Sequence, residues 1–118
     1  MARLKVTLVL DSGARIGPGK VALLESVRAA GSISAAARAM DMDYKRAWTL
    51  VDSLNHAFAA PVVERAAGGP RGGGASLTAL GEELLARYRR LEAAAAGLAA
   101  EDLNALENRA LPDAGPKV

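Results

Sequence analysis

The hydrophobic positions at the amino-terminal end of the chain alternate with polar ones, which is typical of a β-strand. Residues Leu4–Leu10 follow this alternation and include several β-branched side chains. Asp11–Gly13 is a turn-forming stretch, and Arg15 with Ile16 can return along the strand. We therefore predict a small β-hairpin at the start of the chain.

The pattern then changes to a helical spacing. Within residues 20–30, the apolar residues Val21, Leu24 and Val27 recur every three positions, which places them on one face of a helix. Gly31 follows and suits the left-handed conformation that ends many helices. These residues predict a first helix with one buried face.

Two further helices are predicted, separated by a short break. Ser34 is a good N-cap for a second helix over Ala35–Met40, and Asp43 can cap a third from about Tyr44 to Phe58. The third helix has an apolar side (Ala47, Leu50, Val51, Leu54, Phe58) and a polar side (Lys45, Arg46, Thr49, Asp52, Ser53, His56). This order is typical of a helix-turn-helix, although an ordinary amphipathic pair with a solvated polar face has the same pattern.

A glycine-rich loop follows the third helix. Residues 62–65 and 75–77 are predicted strands, and they flank Ala66–Gly74. Glycine lets a backbone approach DNA closely and exposes its amides to phosphate oxygens, so we interpret the unit as a DNA-binding wing. A disordered surface hairpin is the alternative. A nucleotide phosphate loop is disfavoured, because no Gly-Lys-Ser/Thr follows and no helix begins at the glycines.

A long final helix is predicted from about residue 78 to residue 100, with Thr78 as its N-cap. Its apolar positions form a heptad-like seam of Leu84, Tyr88, Leu91, Ala95 and Leu98. Such a seam stays exposed on a small domain unless another chain covers it, so we expect it to form a homodimer interface. The alternative is packing on its own domain, which we expect of the first turns. Residues 1–100 then form one domain, followed by a short helical or disordered tail over residues 101–118.

The composition excludes several classes of function. The 118 residues suffice for one domain and include no cysteine and one histidine, so thiolate and histidine-cluster metal sites are excluded. No apolar run approaches the roughly 18 residues that span a bilayer, so we expect a cytoplasmic protein with no membrane partner. No acid, base and nucleophile fall together, and we therefore expect neither an enzyme, nor catalytic residues, nor a cofactor.

Charge is distributed unevenly along the chain. Residues 1–75 contain ten Lys/Arg and six Asp/Glu, whereas residues 76–118 contain five and seven. A basic front suits a protein that presents one face to a polyanion. On the third helix, Arg46 can donate two bonds to a guanine, and Thr49 can contact a base or a phosphate. Arg65 and Arg71 supply charge to the wing, and Arg71 can reach the minor groove.

Several stretches together resemble the DNA-binding domain of the ModE-type molybdate-dependent regulators. They are Gly31–Ala37, Met42–Trp48, Asn55, Val63–Arg65, the glycine pair 68–69 and triplet 72–74 of the loop, Leu77–Thr78 and Gly81. The helix-turn-helix also resembles that of LysR-type regulators. The resemblance implies a mainly α fold with small β-hairpins, namely a winged helix-turn-helix with a long carboxyl-terminal dimerisation helix.

The resemblance also implies which residues face DNA. They are Ser34 of the second helix, Tyr44, Lys45, Arg46 and Thr49 of the third, and Arg65, Arg71, Gly72 and Gly73 of the wing. Family members often have serine where this chain has Asp43, and a carboxylate there repels a nearby phosphate. The family binds molybdate in additional β-rich domains after the long helix, and this chain stops at Val118. The resemblance therefore leaves any small-molecule effector unidentified.

The sequence thus predicts a homodimeric regulator that binds duplex DNA sequence-specifically. Two alternatives remain open. One is a sensor that binds a molybdate-like oxyanion at the dimer interface or at a helix amino terminus. The other is a protein-interaction adaptor that keeps the winged-helix fold without binding DNA.

Overall fold

The structure, a computed structural model, describes residues 2–66 and 73–112. Its elements in chain order are β1 (Leu8–Val9), β2 (Arg15–Ile16), α1 (Pro18–Ala30), α2 (Ile33–Ala39), α3 (Tyr44–Ala57), β3 (Val63–Ala66), β4 (Gly74–Leu77) and α4 (Ala79–Glu107). The predicted fold class is confirmed: the chain is mainly α, with two small antiparallel hairpins and a long carboxyl-terminal helix. The helix-turn-helix is α2 with α3, and the β3–β4 hairpin lies where a wing is expected.

The core is built around α1. Val21, Leu23, Leu24 and Val27 of this helix are fully buried, which confirms its predicted apolar face. Helices α2, α3 and α4 and the two hairpins contribute the other members of the same cluster. Gly31 ends α1 with φ of 80°, the left-handed conformation expected of it. The core therefore joins the helix-turn-helix to the first turns of α4.

The amino-terminal strand is shorter than predicted. Only Leu8–Val9 pairs with Arg15–Ile16, because α1 begins immediately after β2 and leaves β1 no longer partner. The carbonyl of Val6 instead accepts a hydrogen bond from the Tyr88 hydroxyl of α4, at 2.6 Å. The segment before β1 is thus held by a side chain rather than by a sheet.

The prediction that Ser34 caps α2 is wrong. Ser32 is the N-cap, and its Oγ accepts a hydrogen bond from the Ala35 amide at 3.0 Å. The physical reason is Ile33, which is buried as the first residue of α2, so the helix must begin earlier in the chain than the serine spacing alone suggests. Ser34 is exposed and accepts a hydrogen bond from Arg38.

Helix α4 begins as predicted and ends later. The Thr78 hydroxyl accepts the Gly81 amide at 3.0 Å, which confirms the cap. The helix continues to Glu107, beyond the predicted end near residue 100. No helix in the described ranges is long and apolar enough to cross a membrane.

The predicted seam of α4 divides into two parts. Tyr88 is fully buried and Leu84 is 9% exposed, both within the chain's own core, so these two residues present almost no free surface. They face α1 and the hairpins because these are the first turns of the helix, which lie against the domain. Leu91 and Leu98, further along, are 48% and 86% exposed, and Ala95 is half-buried.

Candidate nucleic-acid interface

A tight turn fixes the angle between α2 and α3. Asp41 adopts φ of 50° in the left-handed region, and the Met42 amide donates to the Ala37 carbonyl at 2.8 Å. Beyond the turn, Ala47, Val51 and Leu54 are buried against the core. One side of α3 is therefore fixed to the domain, and the opposite side is presented outward.

The outward side begins at the amino-terminal turn of α3. The four residues that the resemblance assigns to the DNA-facing surface of α3 are all exposed: Tyr44, Lys45, Arg46 and Thr49. Trp48, which is 40% exposed, lies beside them. The Thr49 hydroxyl donates to the Lys45 carbonyl at 2.8 Å, so its proton is used within the helix while its oxygen can still accept a hydrogen bond.

Asp43 caps α3 through its backbone alone. It is the N-cap residue with extended backbone geometry, and its side chain makes no capping hydrogen bond, contrary to the prediction. Its carboxylate lies at the positive end of the helix dipole, which favours it electrostatically. Asp43 also lines a shallow groove of about 350 Å³ together with Lys45, Arg46 and Thr49. The groove thus combines two cations with one carboxylate.

At the carboxyl-terminal end of α3, His56 lies beside the acidic residue Asp52. His56 Nδ1 lies 2.8 Å from the Asp52 carbonyl oxygen and 3.4 Å from its carboxylate. The positive charges of α3 are thus concentrated in its first turn. This is the end of a recognition helix that usually meets base edges.

Ion pairs neutralise charged side chains where α1 packs against α4. Arg28 of α1 pairs with Glu82 of α4 at 2.7 Å, and Arg89 pairs with both Glu25 and Glu92. The hydrogen bond from Arg89 lowers the pKa of the Glu25 carboxyl, and its two acidic partners raise the pKa of Arg89. These contacts hold α4 against α1 and leave little uncompensated charge there.

The cations of the helix-turn-helix behave differently. Arg38, Lys45 and Arg46 form no ion pair with any residue in ranges 2–66 and 73–112. Arg65, exposed on β3, is likewise without an ion pair within those ranges. Exposed cations without an ion pair in those ranges therefore lie on α2, α3 and β3, where a polyanion can approach them.

Two contacts hold the base of the wing. Asn55 of α3 accepts the amides of Val62 and Val63 at 2.8 and 3.0 Å and donates to the Val63 carbonyl at 3.0 Å. On the other strand, the Ala75 amide donates to the Gly31 carbonyl at 2.8 Å. The β3–β4 register, from Val63 opposite Leu77 to Ala66 opposite Gly74, continues from this base.

Sequence reasoning assigned no role to Asn55; its only signal was its place among the residues that resemble the ModE family. Gly73, predicted to face DNA, has φ of 70° directly before β4. Arg71 and Gly72 of the predicted wing lie outside the described residues. Within the described ranges there is no group of three or more metal-ligating side chains.

The sequence that forms α1 to α4 is similar to those of known proteins. A family model described as "Bacterial regulatory helix-turn-helix protein, lysR family" matches residues 19–82, which is more than half of the chain. The chain belongs to this family. The match runs from the start of α1 through the helix-turn-helix and the wing strands into the first turn of α4.

Individual relatives carry ModE or molybdenum names. The "Molybdenum-pterin-binding protein MopB" of Rhodobacter capsulatus is 52% identical over 87 residues, which is 74% of this chain and 32% of that protein. The "Molybdenum transport protein ModE" of Azotobacter vinelandii is 39% identical over 88 residues, 75% of this chain and 33% of that protein. The "DNA-binding transcriptional dual regulator ModE" of Escherichia coli K12 is 37% identical over 87 residues, which is 74% of this chain and 33% of that protein.

These matches confirm the resemblance to ModE-type regulators carried by the sequence motifs. The chain spans about one third of the length of these curated relatives. The activities of the complete relatives therefore belong to proteins about three times as long as the matched region.

Proposed function

We propose that this chain is a sequence-specific, duplex-DNA-binding transcriptional regulator that acts as a homodimer in the cytoplasm. The observation that carries the proposal is the outward face of α3. Its first turn presents Lys45 and Arg46, exposed and without an ion pair in the described chain, on a helix whose other face is buried in the core. A recognition helix needs this combination of a fixed frame and a free basic end.

One set of interface residues would contact bases, and another would contact the phosphate backbone. Arg46 and Thr49, on the outward face of α3, would contact base edges in the major groove and supply specificity. Ser34, Tyr44, Lys45 and Arg65 would contact the phosphate backbone and supply most of the affinity. The wing residues Arg71, Gly72 and Gly73 would extend the same contacts to the adjacent minor groove.

The far half of α4 supports the homodimer. The helix has 29 residues, roughly 43 Å of length, but its buried residues end at Tyr88. The radius of gyration is 17.1 Å, against roughly 13.5 Å for a compact domain of this length. Leu91, Leu98 and Leu106 are exposed on the projecting part. Pairing with a second copy would cover them and place two copies of α3 about one DNA turn, ~34 Å, or a multiple of it apart.

An oxyanion sensor is a weaker proposal. The names of the relatives MopB and ModE connect those proteins with molybdenum. This chain matches about one third of the length of each, so the molybdenum connection belongs to longer proteins. We therefore propose the DNA-binding role and leave the effector unnamed.

Selection of binding sites from a pool of random duplexes tests the proposal. We expect a palindromic consensus, because a C2 dimer presents two identical helices to the duplex. Binding to random duplex should weaken steeply with added salt as counterions are released. An adaptor that does not bind DNA would enrich no sequence and show almost no salt-dependent binding, and that result would overturn the proposal.

A further inference from the structure

A second basic feature lies beside α3. An open cleft of about 420 Å³ is bounded by the first hairpin, the start of α1 and the inner edge of α3. Arg15 of β2, Lys20 of α1 and Arg46 of α3 line it, and Thr7 adds a hydroxyl group. Three cations from three separate elements therefore converge on one space. We call this space the hairpin cleft.

The Lys20 side chain is positioned by hydrogen bonds. Its Nζ donates to the Arg15 carbonyl at 2.8 Å and to the Ser53 hydroxyl of α3 at 3.3 Å. An ammonium group has three protons, so one remains for a ligand in the cleft. These bonds hold the charge between the hairpin and α3, where an unrestrained lysine would extend into solvent.

The charges of the hairpin cleft are not compensated within the described chain. Arg15, Lys20 and Arg46 form no ion pair with residues 2–66 or 73–112, and no described acidic side chain lines the cleft. Arg28 and Arg89, by contrast, lie against glutamates. Like charges held close together repel one another, so this arrangement favours an anionic ligand.

Arg46 indicates where that anion comes from. This residue lines both the hairpin cleft and the groove on the outward face of α3. A duplex that receives α3 in its major groove places its backbone phosphates along the edges of that groove. The cleft is open to solvent, so a phosphate that remains part of a strand can enter it.

We propose that Arg15 and Lys20 of the hairpin cleft bind one backbone phosphate of the duplex, at the edge of the major groove that Arg46 enters from the other side of the cleft. This inference rests on the proposed DNA-binding function and adds a contact outside the helix-turn-helix and the wing. The contact fixes the position of α3 on the duplex and carries no base preference of its own. The first hairpin thereby becomes part of the DNA-binding surface.

The test compares charge-removing variants on two duplexes, one carrying the selected site and one of random sequence. Lys20→Gln and Arg15→Gln each remove one cleft cation, and Arg109→Gln is the matched control that removes one exposed cation beyond α4. Arg15→Gln keeps the backbone carbonyl that holds Lys20, so it reports on charge even if Lys20→Gln loosens the fold. Thermal unfolding of each variant checks that the domain remains folded.

Binding is measured by fluorescence anisotropy between roughly 50 and 200 mM salt. The slope of log affinity against log salt is negative. We expect each cleft variant to make it less steep by about 0.9 for each phosphate that the variant no longer neutralises. A dimer carries two clefts, so the change in slope should be twice as large. Affinity should fall about fivefold to tenfold for each such phosphate at 0.1 M salt, equally on both duplexes. Arg109→Gln should match the parent.

The outcomes separate this proposal from the proposed function. If the parent binds the selected duplex and both cleft variants keep its salt slope, the cleft proposal fails and the DNA-binding function stands. If the parent binds no duplex, both fail. A third arm titrates the parent with inorganic phosphate. Binding that Lys20→Gln abolishes, with duplex affinity unchanged, would overturn the proposal by assigning the cleft to a free anion.

Discussion

Asn55 and Val63 are joined by hydrogen bonds in both directions. The Asn55 amide group donates to the Val63 carbonyl and accepts from the Val63 amide, both at 3.0 Å, and it also accepts from Val62. One side chain of α3 thus fixes the first residue of the wing strand. The spacing between the outward face of α3 and the wing is set at this point.

Replacing Asn55 should therefore destabilise the domain and loosen the wing. Asn55→Ala leaves two amides and one carbonyl without these partners, and we expect a decrease of about 1–3 kcal/mol in the free energy of unfolding. Asn55→Asp keeps the acceptor for the two amides, but its carboxylate cannot donate to the Val63 carbonyl, so its decrease should become smaller as the pH falls and the carboxyl gains a proton. Urea unfolding measures both. Equal stability of Asn55→Ala and the parent would contradict this role.

Two glycines of α4 should respond oppositely to alanine. A Cβ at Gly81 would lie 2.2 Å from the Val62 carbonyl oxygen, a backbone atom that cannot move freely, whereas a Cβ at Gly97 would meet nothing within 4 Å. We expect Gly81→Ala to lower the free energy of unfolding by about 1–3 kcal/mol. Gly97→Ala should raise the free energy of unfolding by about 0.5–1 kcal/mol, because alanine favours the helix more than glycine does. Thermal unfolding of the matched pair checks both signs.

Local features of the fold were predictable from the sequence. Gly31 ends α1 and Thr78 caps α4 as expected, because caps depend on a few neighbouring residues. The choice between Ser32 and Ser34 was not predictable in this way, since it depends on the burial of Ile33 in the core. Tyr88 shows the same limit, because heptad spacing identifies an apolar face but not the surface that covers it.

Much of the candidate site was also predictable. The exposed basic turn of α3 follows from amphipathic spacing alone, since the helical period decides which residues share a face. The hairpin cleft does not, because Arg46 lies far along the chain from Arg15 and Lys20 and meets them only when α1 packs beside α3. The pairing of Arg89 with Glu25 depends on tertiary packing for the same reason.

The Arg89–Glu25 pair should make stability depend on acid pH. Arg89 lowers the pKa of the Glu25 carboxyl, so the stabilisation is complete above the usual carboxyl pKa and is lost as the pH falls through the lowered value. Both side chains are about 40% exposed, and solvent screening limits the effect to about 0.5–1 kcal/mol. Glu25→Gln should be less stable than the parent at neutral pH, and the difference should shrink in acid.

Urea unfolding across this pH range measures that difference. Glu101→Gln, at an exposed position of α4 with no ion pair in the described ranges, is the matched control. A constant gap between Glu25→Gln and the parent at every pH would show that the pair does not act through the carboxylate charge.

Arg46→Ala should change which sequences are bound. We expect the free energy of binding to the selected duplex to weaken by about 1–3 kcal/mol, since the variant cannot make a bidentate contact to guanine. The preference for one base pair should relax for the same reason. Lys45→Ala, one residue earlier, should weaken binding to selected and random duplexes alike. Competition binding with single-base substitutions distinguishes the two. Unaltered discrimination in Arg46→Ala would remove the base-contact role from this residue.

The projecting half of α4 gives the prediction about assembly. Leu98 is 86% exposed on the face that would meet a second copy, and an aspartate there would bury an unpaired charge in the interface. We expect Leu98→Asp to be monomeric in sedimentation equilibrium at concentrations where the parent is dimeric. Leu111→Asp, at a 75% exposed position after the helix, should stay dimeric. A monomeric parent would contradict the homodimer.

DNA binding offers an independent measurement of the same interface. A dimer binds two half-sites together, so the second contact is effectively intramolecular and strengthens the first. Leu98→Asp should therefore lose affinity for a palindromic duplex by one to several powers of ten and change little on a single half-site. Because Leu98 lies well beyond the buried turns of α4, the domain itself should unfold as the parent does. Equal losses on both duplexes would point to damage of the domain and away from a dimer interface at Leu98.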